Sequence, residues 1–199
     1  AKDLPEKPEQ YGRSRINAHV EMTDRLHEMF IRHDAGARFP CQKHVGKAES
    51  IFAMTGKGRL CFFSEAGEMD YFVDLAPYGE SDHFYCQVPA NKRHIFIPHS
   101  EIVTKETTSG PWFKEHSVFV KDCNSAVDEH DNPTSMAVRK PINFIRVSEE
   151  AYYTSSEIVA VGKREIDFLK AEVGNTSRKR IRLCTHRNMN ATLHEMFVC

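Results

Sequence analysis

Short apolar runs separated by turn residues dominate the sequence from about Arg13 to Val120. The runs are rich in Phe, Tyr, Ile and Val, and Gly, Pro, Asn or Asp interrupts them every 8 to 12 residues. No helical period appears between the turns. This pattern predicts strands at 26–31, 50–54, 59–64, 69–75, 84–88, 94–97, 102–105 and 118–120. It favours an antiparallel sandwich or barrel over parallel βαβ architecture.

Charge and hydropathy exclude several classes of partner. The 199 residues carry 27 Lys and Arg against 28 Asp and Glu, a formal net charge of -1. A protein that binds nucleic acid or an anionic membrane normally has a basic excess, so we expect neither partner. No apolar run approaches the roughly 18 residues that a membrane-spanning helix needs. Residues 1–10 are charged and contain proline, which is unlike a secretory signal.

The six cysteines, at positions 41, 61, 86, 123, 184 and 199, form no CxxC pair and show no regular spacing. Several lie inside apolar runs, as in Leu60-Cys61-Phe62. That placement is typical of free, buried thiols in a reducing compartment, and we therefore expect a cytoplasmic protein. A disulfide framework or a zinc ribbon is not expected.

The composition changes after Lys121. Residues 122–134 are polar and read as a surface loop, whereas 158–161 predicts a strand and 164–173 has apolar residues at helical spacing. We therefore predict a barrel over residues 1–147 and a strand-helix-strand extension over 148–199.

An internal repeat links the two parts of the chain. Residues 13–32 and 180–199 align without gaps at an offset of 167, with nine of twenty positions identical, including a shared Leu-His-Glu-Met-Phe. The chain therefore carries one whole repeat and the opening of a second. His27 and His194 occupy equivalent positions, which favours a shared strand role over metal ligation. An apolar strand at 193–198 would need to pair with a sheet edge, either in its own barrel or in a neighbouring subunit. Pairing with a neighbouring subunit would give a homodimer.

Four polar residues have the spacing of a metal site. Gln42 and His44 are two apart on a predicted strand, so their side chains leave the same face. Glu49 follows a short bend, and His94 lies on a later strand that a barrel wall would bring opposite. His44, Glu49 and His94 then form a two-histidine, one-carboxylate set for one divalent ion, Fe, Mn, Ni or Zn. Gln42 adds a weak fourth ligand, bonds a bound water, or only lines the site; His94 as a hydrogen-bonded core histidine is the alternative to ligation.

These residues resemble the two signatures of the cupin superfamily. The stretch from Gly36 to Gly56 fits G-x5-H-x-H-x4-E-x6-G except that Gln42 replaces the first His. The stretch from Pro89 to His94 fits P-x-G-x-x-H except that Asn91 replaces Gly. The resemblance implies an all-β fold, the cupin double-stranded β-helix or jelly-roll barrel.

Further segments resemble the WbuC-type cupin metalloproteins, which are encoded near genes for O-antigen and sugar nucleotides. They are Leu26-His-Glu-Met, the Pro-x-x-x-His-x-Gly-Lys-x-Glu-Ser stretch from Pro40 to Ser50, and Glu106-Thr-Thr-Ser-Gly-Pro-Trp112. Residues 157–199 are similar to the N-terminus of that family. The resemblance implies a fold and a site but neither a reaction nor a substrate.

Two functions from different classes remain open. The first is a metal-dependent enzyme that isomerises, epimerises or oxygenates a small polar molecule, such as a sugar or sugar nucleotide, with Tyr71 or Tyr85 moving a proton. The second is a non-catalytic module that binds a small ligand and whose metal is structural or lost. Lys43 and Lys47 are candidates to meet a phosphate or carboxylate, although surface lysines are more often only solvated.

Overall fold

The computed structural model describes residues 12–80, 83–121, 123, 144–148, 151–154, 159–173, 176, 180–185, 193 and 195–198. Within these ranges most residues lie in β-strands, together with one α-helix, α1 (Lys163–Val173), and a short 3-10 helix (Lys114–His116). No helix in this part of the chain is long and apolar enough to cross a membrane. The predicted loop at 122–134, apart from Cys123, and the predicted role of His194 lie outside the described residues.

Two antiparallel sheets face each other. Sheet A has the spatial order β1 (Arg13–Asn17), β2 (Leu26–His33), β9 (Ile102–Ser109), β4 (Glu49–Thr55), β7 (Tyr85–Val88) and β13 (Val159–Val161). Sheet B has the order β10 (Ser117–Phe119), β3 (Gln42–His44), β8 (Arg93–Pro98), β5 (Gly58–Phe63) and β6 (Met69–Leu75). A third sheet has the order β11 (Phe144–Ser148), β12 (Ala151–Thr154), β14 (Arg182–Cys184) and β15 (Met196–Val198).

The chain alternates between the first two sheets as it winds. Strands β2 to β5 fall in A, B, A and B, and strands β6 to β9 fall in B, A, B and A. The resulting orders, β2-β9-β4-β7 and β3-β8-β5-β6, are those of an eight-stranded jelly roll made of two Greek keys. The predicted fold class, an all-β cupin-type double-stranded β-helix, is thereby confirmed.

Residue alternation decides which side chains enter the space between the sheets. In β6 every second residue is buried, whereas the residues between them stay partly exposed. Three of the buried residues, Tyr71, Val73 and Leu75, pack with apolar side chains of β4, β5, β7 and β8 into one core. Its large members include Leu60, Phe62, Val73, Leu75 and Ile102. This apolar core fills one part of the barrel and leaves the remaining part for polar side chains.

The prediction of free thiols is wrong for two cysteines. Cys41 and Cys123 form a disulfide, with their Cα atoms 5.9 Å apart. Pairing of β10 with β3 causes this approach, because it brings the chain after β10 beside Cys41, where the Val120 amide donates to the Cys41 carbonyl oxygen. Cys61 and Cys86 are free and buried, as predicted, and Cys184 is also buried. The cysteines therefore give no argument for a reducing compartment.

The C-terminal segment follows the predicted strand, helix and strand order. β13 pairs with β7 and so extends sheet A of the barrel. Helix α1 begins just after β13, and its Leu169 is buried against Phe84, Val159 and Leu183. The helix therefore covers the outer side of sheet A near its β13 edge.

The sequence repeat is also a repeat of strand pairing. In the β1–β2 hairpin, Arg15 pairs with Ile31 and Asn17 with Met29. In the β14–β15 hairpin, Arg182 pairs with Val198 and Cys184 with Met196, which is the same register at the offset of 167. The predicted strand at 193–198 is thus present as Met196–Val198, paired to β14 within the same chain.

A buried histidine makes the stability of this barrel depend on pH. His33 is 5% exposed, and its ring contacts the rings of Phe39 and Phe96. Burial, together with the charges of Arg13 and Arg15, lowers the pKa of His33 from 6.5 to about 4. The unfolded chain therefore binds this proton more tightly, so stability is lost as the pH falls from about 6.5 towards 4.

We predict that His33→Leu flattens this dependence. On acidification to pH 4, His33 should lower the free energy of unfolding of the wild type by roughly 3 kcal/mol. The variant lacks this histidine and should not show that loss. Urea unfolding of both proteins at pH 7 and pH 4.5 measures the difference. Equal losses of unfolding free energy in wild type and variant would contradict the assignment.

Candidate metal centre

A cavity of about 330 Å³ lies between the sheets beside the apolar core. Three of the four predicted ligands, Gln42, His44 and Glu49, line it, and His94 lies next to them on β8. Gln42 and His44 are two apart on β3, so both face inward as the alternation predicts. Gln42 pairs with His94 across the β3–β8 ladder, which brings the two sequence motifs together.

Glu49 is the centre of the cluster. Its Oε2 lies 3.1 Å from Nε2 of His44, and its Oε1 lies 2.9 Å from Nε2 of His94. One donor atom from each of the three residues lies within 4.8 Å of the other two. Glu49 is 3% exposed and His94 is 1% exposed, so the carboxylate is held inside the barrel with two imidazoles as its neighbours.

The outer nitrogens of both imidazoles are held by other groups. Nδ1 of His94 lies 2.9 Å from the carbonyl oxygen of Lys92, and Nδ1 of His44 lies 3.2 Å from Oγ of Ser117. A carbonyl oxygen can only accept, so Nδ1 of His94 carries a hydrogen, and Nε2 is the ring nitrogen that faces the cluster and can ligate a cation. Such outer contacts orient metal-binding histidines in proteins.

The residues present fit a divalent metal ion. Nε2 of His44 is buried and has no hydrogen-bond partner among the described residues, although Glu49 is close. A bound cation between these donors would satisfy that nitrogen and separate the crowded nitrogen and oxygen atoms. Two imidazoles and one carboxylate suit Fe, Mn, Ni or Zn. We therefore regard His44, Glu49 and His94 as the candidate ligands.

Electrostatics keep Glu49 in the anionic state that binds a cation, whereas His44 has to release a proton before it can bind one. Burial acts to raise the pKa of Glu49, yet the neighbouring His44 and His94 hold that pKa well below its ordinary value. Burial acts to lower the pKa of His44, but the charge of Glu49 outweighs it and raises the pKa to about 8. Glu49 is consequently an anion at neutral pH. A divalent cation would replace the proton that this anion favours on His44.

Gln42 reaches the same centre. Its side-chain nitrogen lies 3.4 Å from Nε2 of His94. Rotation of the amide about its terminal bond exchanges the nitrogen and oxygen, so this position can present either atom. Gln42 thus stands where a third imidazole would complete the set.

Asn91 shows why the second motif tolerates its departure from glycine. It adopts φ 65°, and no other non-glycine residue in the described ranges has a positive φ. Its backbone amide donates to the His44 carbonyl oxygen, and its Oδ1 accepts from the Gly46 amide. The turn before β8 is therefore fastened to the bend after β3. This connection holds His94 and His44 at a fixed separation.

The other predicted site residues lie elsewhere. Tyr71 is buried in the apolar core beside Phe62, and the Tyr85 hydroxyl donates to Glu195 on the outer side of sheet A. Neither tyrosine is among the residues that line the cavity, and their catalytic role stays a prediction. Lys43 lies 3.6 Å from Glu65 in an ion pair, whereas Lys47 lines the cavity and donates to the Pro111 carbonyl oxygen.

Glu106 also lines the cavity, although no motif in the sequence singles it out. It lies on β9 between Met29 of β2 and Ile51 of β4. Burial and the charge of Glu49 raise the pKa of Glu106 to about 7. The available signal was its alternation with Ile102 and Thr104, which places a carboxylate on the inward face of a strand.

His27 also lines the cavity without joining the metal cluster. Its ring stacks on that of His19 with centroids 4.1 Å apart, and its Nε2 lies 3.1 Å from the Asp24 carbonyl oxygen. This arrangement agrees with the predicted strand role rather than with ligation.

Comparisons with known proteins give overall structural likeness only. No protein-family model matches the chain, and no curated protein matches it. Among solved structures, oxalate decarboxylase from Bacillus subtilis is similar at 15% identity and a TM-score of 0.43, over 56% of this chain and 28% of that one. A variant of salicylate 1,2-dioxygenase from Pseudoaminobacter salicylatoxidans is similar at 17% identity and a TM-score of 0.39, over 50% and 27%.

The chain thus spans less than a third of the length of these two structures. Likeness at this level identifies neither a substrate nor a reaction. The fold class and site of this chain follow from its own strand order and ligand geometry. They define a cupin-type jelly roll with a candidate mononuclear metal centre.

We predict that the double substitution His44→Ala and His94→Ala abolishes metal binding, because it removes both imidazoles and leaves one carboxylate. Protein purified without chelator and loaded with each of the four metals should show this by mass spectrometry of the metal content. His33→Leu, which removes a buried histidine outside the cluster, is the matched control and should keep the metal. Full metal content in the folded double variant would exclude the assignment.

We also predict that Gln42→His binds metal more tightly. Imidazole is a better ligand than a neutral amide for these ions, and a gain of about tenfold corresponds to about 1.4 kcal/mol. Competition against a chelator of known affinity measures the change. Unchanged affinity in the variant would mean that residue 42 is not a ligand and that the three-residue set is complete.

Proposed function

We propose that this protein is a metal-dependent enzyme acting on a small polar molecule by isomerisation, epimerisation or oxygenation. The observation that carries the proposal is the convergence of His44, Glu49 and His94 at one side of a cavity that has room for a small molecule. A set of three protein ligands leaves positions on a metal ion for a substrate or water.

The chain's own residues supply the parts of a proton-transfer site. When bound, a divalent ion would polarise a carbonyl or hydroxyl oxygen of the substrate, or activate O2 if the metal is redox-active. The Glu106 carboxyl lines the same cavity and can accept or return a proton at its Oε atoms. The apolar core beside the cavity keeps bulk water from one side of it.

The finer assignments extend this proposal. We take a sugar or sugar nucleotide as the substrate class only because the WbuC-type cupins, which Leu26-His-Glu-Met and the 106–112 segment resemble, are encoded near genes for O-antigen and sugar nucleotides. The donor set admits Fe, Mn, Ni or Zn. A cytoplasmic location, a homodimer, and the division into residues 1–147 and 148–199 stay predictions.

A non-catalytic binding module is the second candidate, and Gln42 favours it. Replacing an imidazole by a neutral amide lowers the affinity for a transition metal. A cavity that keeps its shape but binds metal weakly would still hold a ligand. In that case the metal is structural or lost, and no bond of the ligand changes.

Deuterium incorporation distinguishes the two functions. Protein loaded with Fe²⁺, Mn²⁺, Ni²⁺ or Zn²⁺ is mixed with a panel of sugars, sugar phosphates and nucleotide sugars in D2O, and NMR follows exchange at carbon while an electrode follows O2. We predict exchange or O2 uptake with at least one metal. We further predict that Glu106→Gln lowers an exchange rate about a hundredfold at unchanged metal content, because the variant cannot transfer the proton.

Glu28→Gln is the matched control. Glu28 is a carboxylate on β2 that pairs with Lys105 and does not line the cavity. Its variant should exchange at the wild-type rate. Saturable binding with no exchange and no O2 uptake for any of the four metals would establish the binding module instead of the enzyme.

A further inference from the structure

The β1–β2 hairpin forms the part of the cavity wall that carries positive charge. Arg13 and Arg15 are two apart on β1, and both line the cavity together with Met29 and Ile31 of β2. Arg15 pairs with no carboxylate among the described residues, and its Nη1 lies 3.6 Å from the weakly accepting sulfur of Met29. The Cζ atom of Arg13 lies 5.6 Å from the centre of the Phe39 ring. Arg13 and Arg15 are both exposed residues.

The internal repeat preserves this wall more than the rest of the hairpin. Within residues 13–32, eight positions line the cavity, and six of them are identical in residues 180–199. Only three of the other twelve positions are identical. The six shared lining residues are Arg13, Arg15, His19, Met22, His27 and Met29. Most of the residues that line the cavity are therefore identical in the two copies, whereas most of the other residues differ.

The second copy reproduces the wall in three dimensions as well. A pocket of about 170 Å³ is lined by Arg180, Ile181, Arg182, Met196 and Val198. At the offset of 167, four of these correspond to the Arg13, Arg15, Met29 and Ile31 of the first wall. Each pocket lining thus contains two arginines, a methionine and a β-branched residue at equivalent positions of the hairpin. Strand stability alone does not require two arginines at these positions.

We propose that the β1–β2 hairpin is an anion-recognition wall, on which Arg13 and Arg15 hold the carboxylate or phosphate group of the molecule that occupies the cavity. Guanidinium groups bind both kinds of group through paired, charge-assisted hydrogen bonds. The inference rests on the proposed function, since it names the substrate class of the same cavity. It places the anionic group at the mouth, with the rest of the molecule directed towards Glu106 and the candidate ligands.

Trp112 gives a direct readout of occupancy. It is the single tryptophan of the chain, and it lines this cavity and not the Arg180 pocket. Its fluorescence can therefore be titrated with three molecules of one carbon skeleton, namely glycerol, glycerate and glycerol phosphate. The titrations use wild type with and without Zn²⁺, so that binding to the arginines is measured separately from binding to a metal.

The expected result is saturable quenching by at least one of the two anions and no response to glycerol. The tighter-binding anion then identifies the carboxylate or the phosphate as the recognised group. The double variant Arg13→Gln and Arg15→Gln should bind that anion at least about tenfold more weakly, because two charge-assisted contacts are lost. The double variant Arg13→Lys and Arg15→Lys keeps the charge without the paired geometry and should bind with intermediate affinity.

The double variant Arg180→Gln and Arg182→Gln is the matched control, since it removes the same charge from the equivalent positions of the second hairpin. Its affinity should stay within about twofold of wild type. An equal loss in both double variants, or binding by the Arg13 and Arg15 variant within about twofold of wild type, would overturn the proposal. So would a folded wild type that responds to neither anion. If anions bind through the arginines but no metal binds, the proposed metal-dependent catalysis is refuted, whereas the proposed anion recognition by Arg13 and Arg15 is supported.

Discussion

The ionised Glu49 carboxylate inside the barrel is the constraint on which the rest of the site depends. An isolated carboxylate in a protein interior is strongly disfavoured, so it must be paired and hydrogen-bonded. His44 and His94 meet it from two strands of sheet B, at 3.1 and 2.9 Å. The Asn91 turn fastens those strands to each other. Burial of one charge thus explains why two distant segments of the chain share a fixed geometry.

The interior of the jelly roll has two parts, an apolar core and a cavity lined by polar side chains. Leucine, isoleucine, valine and phenylalanine side chains from both sheets fill one part, and polar side chains line the other. Strand β9 contributes to both, because Ile102 lies in the core and Glu106 lies in the cavity on the same inward face. The dry core stabilises the sheets, and their rigidity in turn positions the polar groups.

The two hairpins of the repeat are used differently although their registers agree. β2 pairs with β9, so the first hairpin closes over the cavity of the complete barrel. β14 pairs with β12, and apolar residues of the second hairpin pack with α1 against the outer side of sheet A. Tyr85, whose hydroxyl donates to Glu195, belongs to this contact rather than to the cavity. The first hairpin therefore lines the cavity of the barrel, whereas the second packs its apolar face against sheet A and leaves Arg180 and Arg182 exposed.

The sequence by itself determined the β-rich architecture, the repeat, and the positions of His44, Glu49 and His94. Strand alternation and motif spacing are local properties, so they do not depend on which strands become neighbours in the fold. Only the tertiary structure decided that Glu106 lies in the cavity, that Cys41 joins Cys123, and that Tyr85 faces outward. These outcomes depend on which strands become neighbours. Neighbours in a jelly roll are distant in sequence, because its strands alternate between two sheets and no local pattern encodes their order.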